Sequence, residues 1–227
     1  MKLQGNKVFF MFLIVIVLLL FLRIDYRFKN NIECCSDEYD YFIHASTIVE
    51  DFDLDYSNQE LRDFKYTYGS KSAPVGFVGT GILTAPFLFI GKILNRIFNE
   101  NINEYIFNFQ IFTYSMSSVI YFLFSYIYLF KTMKLMGGSI NKDKLLLLFT
   151  SSGLVYYAIE RFGMTHVFEV FTITILIYCL VKYYLSKEQA LIKLLIPPLI
   201  FLSFLVRMSN FYIFLIPVIV KKILNKK

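Results

Sequence analysis

Apolar runs long enough to cross a bilayer recur along this chain and constrain its fold more than any other feature. Residues 8–22 (VFFMFLIVIVLLLFL) are unbroken apolar sequence between Lys7 and Arg23, and further apolar segments lie near 105–130, 145–160, 164–185, 189–206 and 208–224. A bilayer core about 30 Å thick takes about 20 helical residues to cross, and backbone in lipid must satisfy its own hydrogen bonds, which selects helices. Composition agrees. The chain is 57% hydrophobic and 18% charged, with a mean hydropathy of +0.57, against about 45–50% apolar residues in a soluble domain. A soluble enzyme, a disordered regulator and a nucleic-acid-binding module are excluded. The expected fold is an all-α polytopic membrane protein with about six transmembrane helices.

The first run is preceded by Lys2 and Lys7, as a signal peptide would be, but no small-x-small cleavage site follows it and Asn31, Ile32 and Glu33 before Cys34 make no lipoprotein signal. Residues 1–24 are therefore read as an uncleaved first span. Residues 74–94 (PVGFVGTGILTAPFLFIGKIL) are apolar enough to span, yet they contain Pro74, Pro86 and Gly76, Gly79, Gly81 and Gly91. Positive charge decides between the two possibilities, because Lys and Arg concentrate in cytoplasmic turns. If 74–94 spans, only 6 of the 23 Lys and Arg face inward; if it stays on the outer side, 13 do. In that second topology Asp143 and Glu188 are the inner carboxylates, and the other 15 of 17 are external. The net charge of +6 thus has a topological origin and requires no anionic partner.

Both termini are then cytoplasmic, residues 25–104 form one external loop, and 105–227 form a five-helix bundle. The loop is expected to carry two juxtamembrane helices, at about 37–52 and 74–94. In SDEYDYFIHASTIVEDF, Tyr39, Phe42, Ile43, Ser46, Val49 and Phe52 recur at roughly helical spacing. Ser36 is positioned to cap this helix, placing Asp37 and Glu38 in a first turn whose dipole favours negative charge. Asp51, Asp53 and Asp55 alternate, but a calcium loop of the EF-hand type needs Gly at its sixth place and Glu at its twelfth, where Tyr56 and Arg62 stand. They read as a solvated acidic turn. Cys34 and Cys35 are adjacent, a geometry unfavourable for a mutual disulfide, so free thiols or pairing with another chain are expected. Cys179, within a span, reads as packing.

His166 and Glu169 are three residues apart near the outer end of the 164–185 segment, on one helix face. Arg161 precedes them by about a turn, and Arg207 marks the outer end of the 189–206 segment. Ionisable groups at such depth usually face a bundle interior or a water-filled cavity; for Arg161, contact with lipid headgroups is the simpler reading. Acids from the loop with an Arg or His at the bilayer edge suit a phosphate-bearing lipid substrate. Pro197, Pro198 and Pro217 are expected to kink the last two helices.

These residues, in this order, resemble the C-type superfamily of integral membrane glycosyltransferases, which includes protein mannosyltransferases and lipid A aminoarabinose transferases. SDEYDYFIHASTIVEDFDLDYSN is similar to the opening of their first external loop, with Asp37 and Glu38 at the place of the acidic pair. YGSKSAPVGFVGTGILTAPFLFIG resembles the second juxtamembrane helix, FGMTHVFEVF a Met-Ser/Thr-His signature, and FLVRMSN an Arg-bearing span end. The likeness covers almost the whole chain, which resembles the N-terminal module of longer members. It implies transfer of a sugar from a polyprenyl-phosphate carrier to a glycan, lipid or protein acceptor on the external face. Asp37 would be the general base and Glu38 its orienting neighbour. His166 and Arg207, with Glu169 and Lys71, would bind substrate. No metal or cofactor is expected; the resemblance to an N-terminal module implies either a truncated gene product or a partner subunit completing the fold. The alternatives are a lipid or glycan transporter or flippase subunit, and a non-catalytic remnant. A bacterial plasma membrane is the expected location.

Overall fold

The computed structural model describes residue 14 and residues 36–61, 65–98, 108–138, 141–185 and 190–225. The expected first span lies outside these residues except for helical Ile14, and Cys34 and Cys35 also lie outside them. The described chain is mostly helical. In order it forms α1 (Ser36–Glu50), β1 (Lys65–Tyr68), β2 (Lys71–Pro74), α2 (Val78–Phe98), α3 (Phe109–Leu135), α4 (Lys142–Thr150), α5 (Leu154–Ile159), α6 (His166–Leu185), α7 (Ala190–Val206), a 3-10 segment (Met208–Leu215) and α8 (Ile216–Leu224). Among the described residues, three helices are long and apolar enough to cross a membrane: α2, α3 and α6.

The all-α expectation needs one correction. Residues 65–74 form an antiparallel hairpin in which Tyr68 pairs with Lys71 and Lys65 with Pro74. The two-residue loop Gly69-Ser70 has φ +60° at Gly69, as a type II′ turn requires of its first central residue. The alternation of Tyr and Thr in KYTY is the strand signal. The hairpin occupies the approach to α2, which starts at Val78, later than the expected start at 74.

Two further segments are not single helices. The apolar stretch 145–160 breaks between α4 and α5 at Ser151-Ser152-Gly153. There Ser151 Oγ donates to the Leu148 carbonyl and Ser152 Oγ to the Phe149 carbonyl, local bonds that compete with helix continuation. The stretch 208–224 is a 3-10 segment with non-helical backbone at Asn210, followed by nine residues of α8. Pro217 does not kink a helix. It sits at the start of α8, where its missing N–H costs nothing. α7 runs through Pro197 and Pro198.

The contacts divide the chain into two compact units, Met1–Val119 with Tyr156–Met164, and Ile120–Val155 with Thr165–Lys227. In the first, α1 lies against α2. Glycine makes this approach possible: a Cβ at Gly81 would collide with His44 Cβ and come within 2.9 Å of the Ala45 nitrogen. Ala45, Val49, Ala85, Leu88, Tyr114 and Phe162 form the buried core, with Phe42 edge-on to Tyr114 at 5.3 Å. At the C-terminal end of α1, Lys92 pairs with Glu50 and donates to the Val49 carbonyl, a favourable place for a cation. In the second unit α6, α7, the 3-10 segment and α8 enclose Leu176, Leu180, Val181, Ile213 and Val220. Cys179 is a free, buried thiol, as its reading as packing expects.

Candidate functional site

α1 begins at Ser36, so Asp37 and Glu38 lie in its first turn, and their environments differ sharply. Asp37 is exposed. Glu38 is 2% exposed, and its Oε1 accepts a hydrogen bond from Arg161 Nε at 2.8 Å. Arg161 follows α5, and the chain passes close enough to Glu38 because position 163 is glycine: a Cβ there would come to 3.0 Å from Glu38 Cβ. Gly163 of the FGMTH stretch thus packs against Glu38. Arg161, read from sequence as a headgroup contact, is an ion-pair partner of Glu38.

The same helix carries a residue that the sequence reading did not single out. His44 is 4% exposed and spans two hydrogen bonds: Nε2 to the Gly76 carbonyl at 2.7 Å and Nδ1 to Tyr56 Oη at 2.6 Å. A carbonyl accepts only, so Nε2 carries the proton and Nδ1 accepts from the Tyr56 hydroxyl. Burial holds the His44 pKa below its usual value, opposed by the bond to Gly76. The Tyr56 hydroxyl is pushed up to about 12 by burial and by the Asp53 charge, so it keeps its proton. His44 ties α1 to both the acidic turn and the entry to α2. The available sequence signal was a lone His on a helix, which is as often structural as functional.

The acidic turn is held by its own side chains. Asp55 N–H donates to Asp53 Oδ1 at 2.9 Å, Ser57 N–H to Asp55 Oδ1 at 3.1 Å, and Gln59 Nε2 to Asp51 Oδ2 at 3.3 Å. These are the local turns that Asp favours. Among the described residues no three His, Cys, Asp or Glu side chains gather to hold a metal ion. Lys71 begins β2 and is exposed. It lines a cavity of about 460 Å³ with Tyr56, Tyr66, Tyr68 and Asp55.

The remaining predicted residues belong to the second unit. His166 is the first residue of α6 and Glu169 lies in its first turn, as the spacing predicts. Arg207 Nη1 donates to Glu169 Oε2 at 3.1 Å, with 42% of the Arg207 side chain exposed and 15% of Glu169. Behind this pair Thr172 Oγ1 contacts Ser203 Oγ at 3.2 Å, Asn210 Nδ2 donates to the Ser203 carbonyl at 3.3 Å, and Tyr212 Oη donates to Asn210 Oδ1 at 3.1 Å. Small polar residues satisfying one another inside an apolar bundle leave little trace in sequence.

No protein-family model, curated protein or solved structure matches this chain.

Proposed function

We propose that the chain is a membrane glycosyltransferase, or part of one, that moves a sugar from a polyprenyl-phosphate donor to an acceptor on the external face. The observation that carries this reading is the contrast within one helix turn: Glu38 is buried and held by Arg161, while its neighbour Asp37 is open to solvent. Such a pair suits a division of labour. Arg161 and Glu38 fix the start of α1, and Asp37 is on its solvent-exposed side. Asp37 takes the hydroxyl proton as the acceptor oxygen bonds to the anomeric carbon. The bond from that carbon to the phosphate oxygen breaks, releasing polyprenyl phosphate.

The accompanying topology has six spans, cytoplasmic termini and α2 lying on the outer face. α1 contains Asp37, Glu38, Asp40, His44 and Glu50 and is unsuited to lipid. α2 packs on it from Gly81 to Lys92, which favours both helices at the membrane surface. The opposite face of α2 exposes Ile82, Phe89, Ile90, Ile93 and Ile97, an apolar strip suited to resting on acyl chains.

The test is consumption of polyprenyl-phosphate sugars by membranes containing the wild-type chain or Asp37→Asn. Loss of a general base costs at least about 100-fold. Full activity in Asp37→Asn removes Asp37 from the mechanism, and donor consumption by neither chain overturns the transferase reading.

A further inference from the structure

The cavity beside the hairpin has a composition that points to its ligand. Its walls come from three pieces of chain: the acidic turn with Leu54, Asp55 and Tyr56, strand β1 with Tyr66, Thr67 and Tyr68, and strand β2 with Lys71, Ser72 and Ala73. The register places Tyr66 opposite Ala73 and Tyr68 opposite Lys71, so these four residues share one face of the ribbon. Tyr66 is 65% exposed and Tyr68 90%. Large aromatic rings displayed to solvent on a two-stranded ribbon are not explained by packing. Tyr56 is different: it is buried, its hydroxyl is held by His44 Nδ1, and its ring stands edge-on to the imidazole at 5.3 Å. The Asp55 carboxylate is oriented by the Ser57 N–H.

We propose that this cavity is a saccharide-binding subsite, which takes the acceptor glycan. Its role as acceptor subsite rests on the transferase reading; saccharide binding itself does not. Aromatic faces receive the C–H faces of a pyranose ring, while Asp55 supplies an acceptor and Lys71 a donor for its hydroxyls. The volume of about 460 Å³ falls within the roughly 300–1,000 Å³ of small-ligand sites, which combine apolar walls with a few placed polar groups. One carboxylate and one ammonium in the wall balance, which suits a neutral polyol. An anionic lipid headgroup is disfavoured, because Asp51, Asp53 and Asp55 follow one another along the adjoining turn.

The experiment is titration of the purified full chain in lipid nanodiscs with a fixed set of neutral disaccharides: cellobiose, maltose, mannobiose and N,N′-diacetylchitobiose. Tyrosine fluorescence and calorimetry give the affinity. The expected result is saturable binding of at least one sugar. Tyr68→Ala, at a position too exposed to matter for folding, weakens it about tenfold, the size of one aromatic contact, and Lys71→Ala weakens it as well. Binding of none of the four sugars overturns the proposal. So does binding that both variants leave unchanged, or preferential binding of anionic lipid vesicles or of a Ser/Thr-rich peptide at this surface. Because the readout is binding, a chain that binds sugar but consumes no lipid-linked donor overturns the transferase reading alone.

Discussion

Glu38 and Arg161 are 123 residues apart in sequence and meet at 2.8 Å with the carboxylate almost fully buried. Their bond fixes the first turn of α1 to the chain just before α6. An acid so placed is stable only with its partner, since an unpaired buried charge is costly. Arg161→Met is therefore expected to destabilise the protein by roughly 3 kcal/mol, measured as thermal unfolding of the detergent-solubilised chain. Glu38→Gln combined with Arg161→Met recovers part of the loss, because no charge is then stranded. An Arg161→Met chain as stable as wild type refutes a structural role for the pair.

His44 makes stability depend on pH. Its folded-state pKa lies below the ordinary 6.5 because of burial, so the unfolded chain binds the proton more readily. Its contribution is complete above about pH 6.5 and is lost progressively as pH falls from there towards the depressed folded value. Thermal melts between pH 5 and 8 should show this slope in wild type, and His44→Gln should flatten it. An identical pH profile in both proteins excludes the imidazole as its source.

The α1–α2 contact has no room for a side chain at Gly81. Gly81→Ala forces a Cβ against His44 and the Ala45 nitrogen, at a cost of about 1–3 kcal/mol. The loss appears as a lower melting temperature and as protease sensitivity within α1. Melting unchanged from wild type would mean the helices are farther apart than the contact requires.

The position of α2 is tested by two cysteines in a chain from which Cys34 and Cys35 have been removed by substitution with Ser. Ser70→Cys in the hairpin turn and Arg96→Cys near the end of α2 should both react with a membrane-impermeant thiol reagent on intact cells. Reaction at position 70 without position 96 would make α2 a transmembrane helix and refute the in-plane topology.

Helix content in this chain follows from apolar runs too long for anything else, and α1, α3, α6 and α7 lie close to where periodicity and hydropathy put them. The first turn of α1 was equally readable from Asp37 and Glu38. The breaks were harder. At Ser151-Ser152-Gly153 hydroxyls turned back on local carbonyls, and hydropathy does not register hydrogen bonds. At Pro217 a residue expected to bend a helix begins one, because the preceding chain had already tightened into a 3-10 segment.

The polar contacts were decided by tertiary structure. Sequence established that Asp37, Glu38, His166, Glu169 and Arg207 exist at helix ends, since local spacing determines which face and which turn a residue occupies. It did not determine that Glu38 takes Arg161 while Glu169 takes Arg207, or that His44 joins Tyr56 to Gly76. Periodicity is a property of a few neighbouring residues, whereas an ion pair or a buried imidazole depends on which distant backbones approach closely. Here glycines at 81 and 163 permit that approach, and only the packed chain shows what they approach.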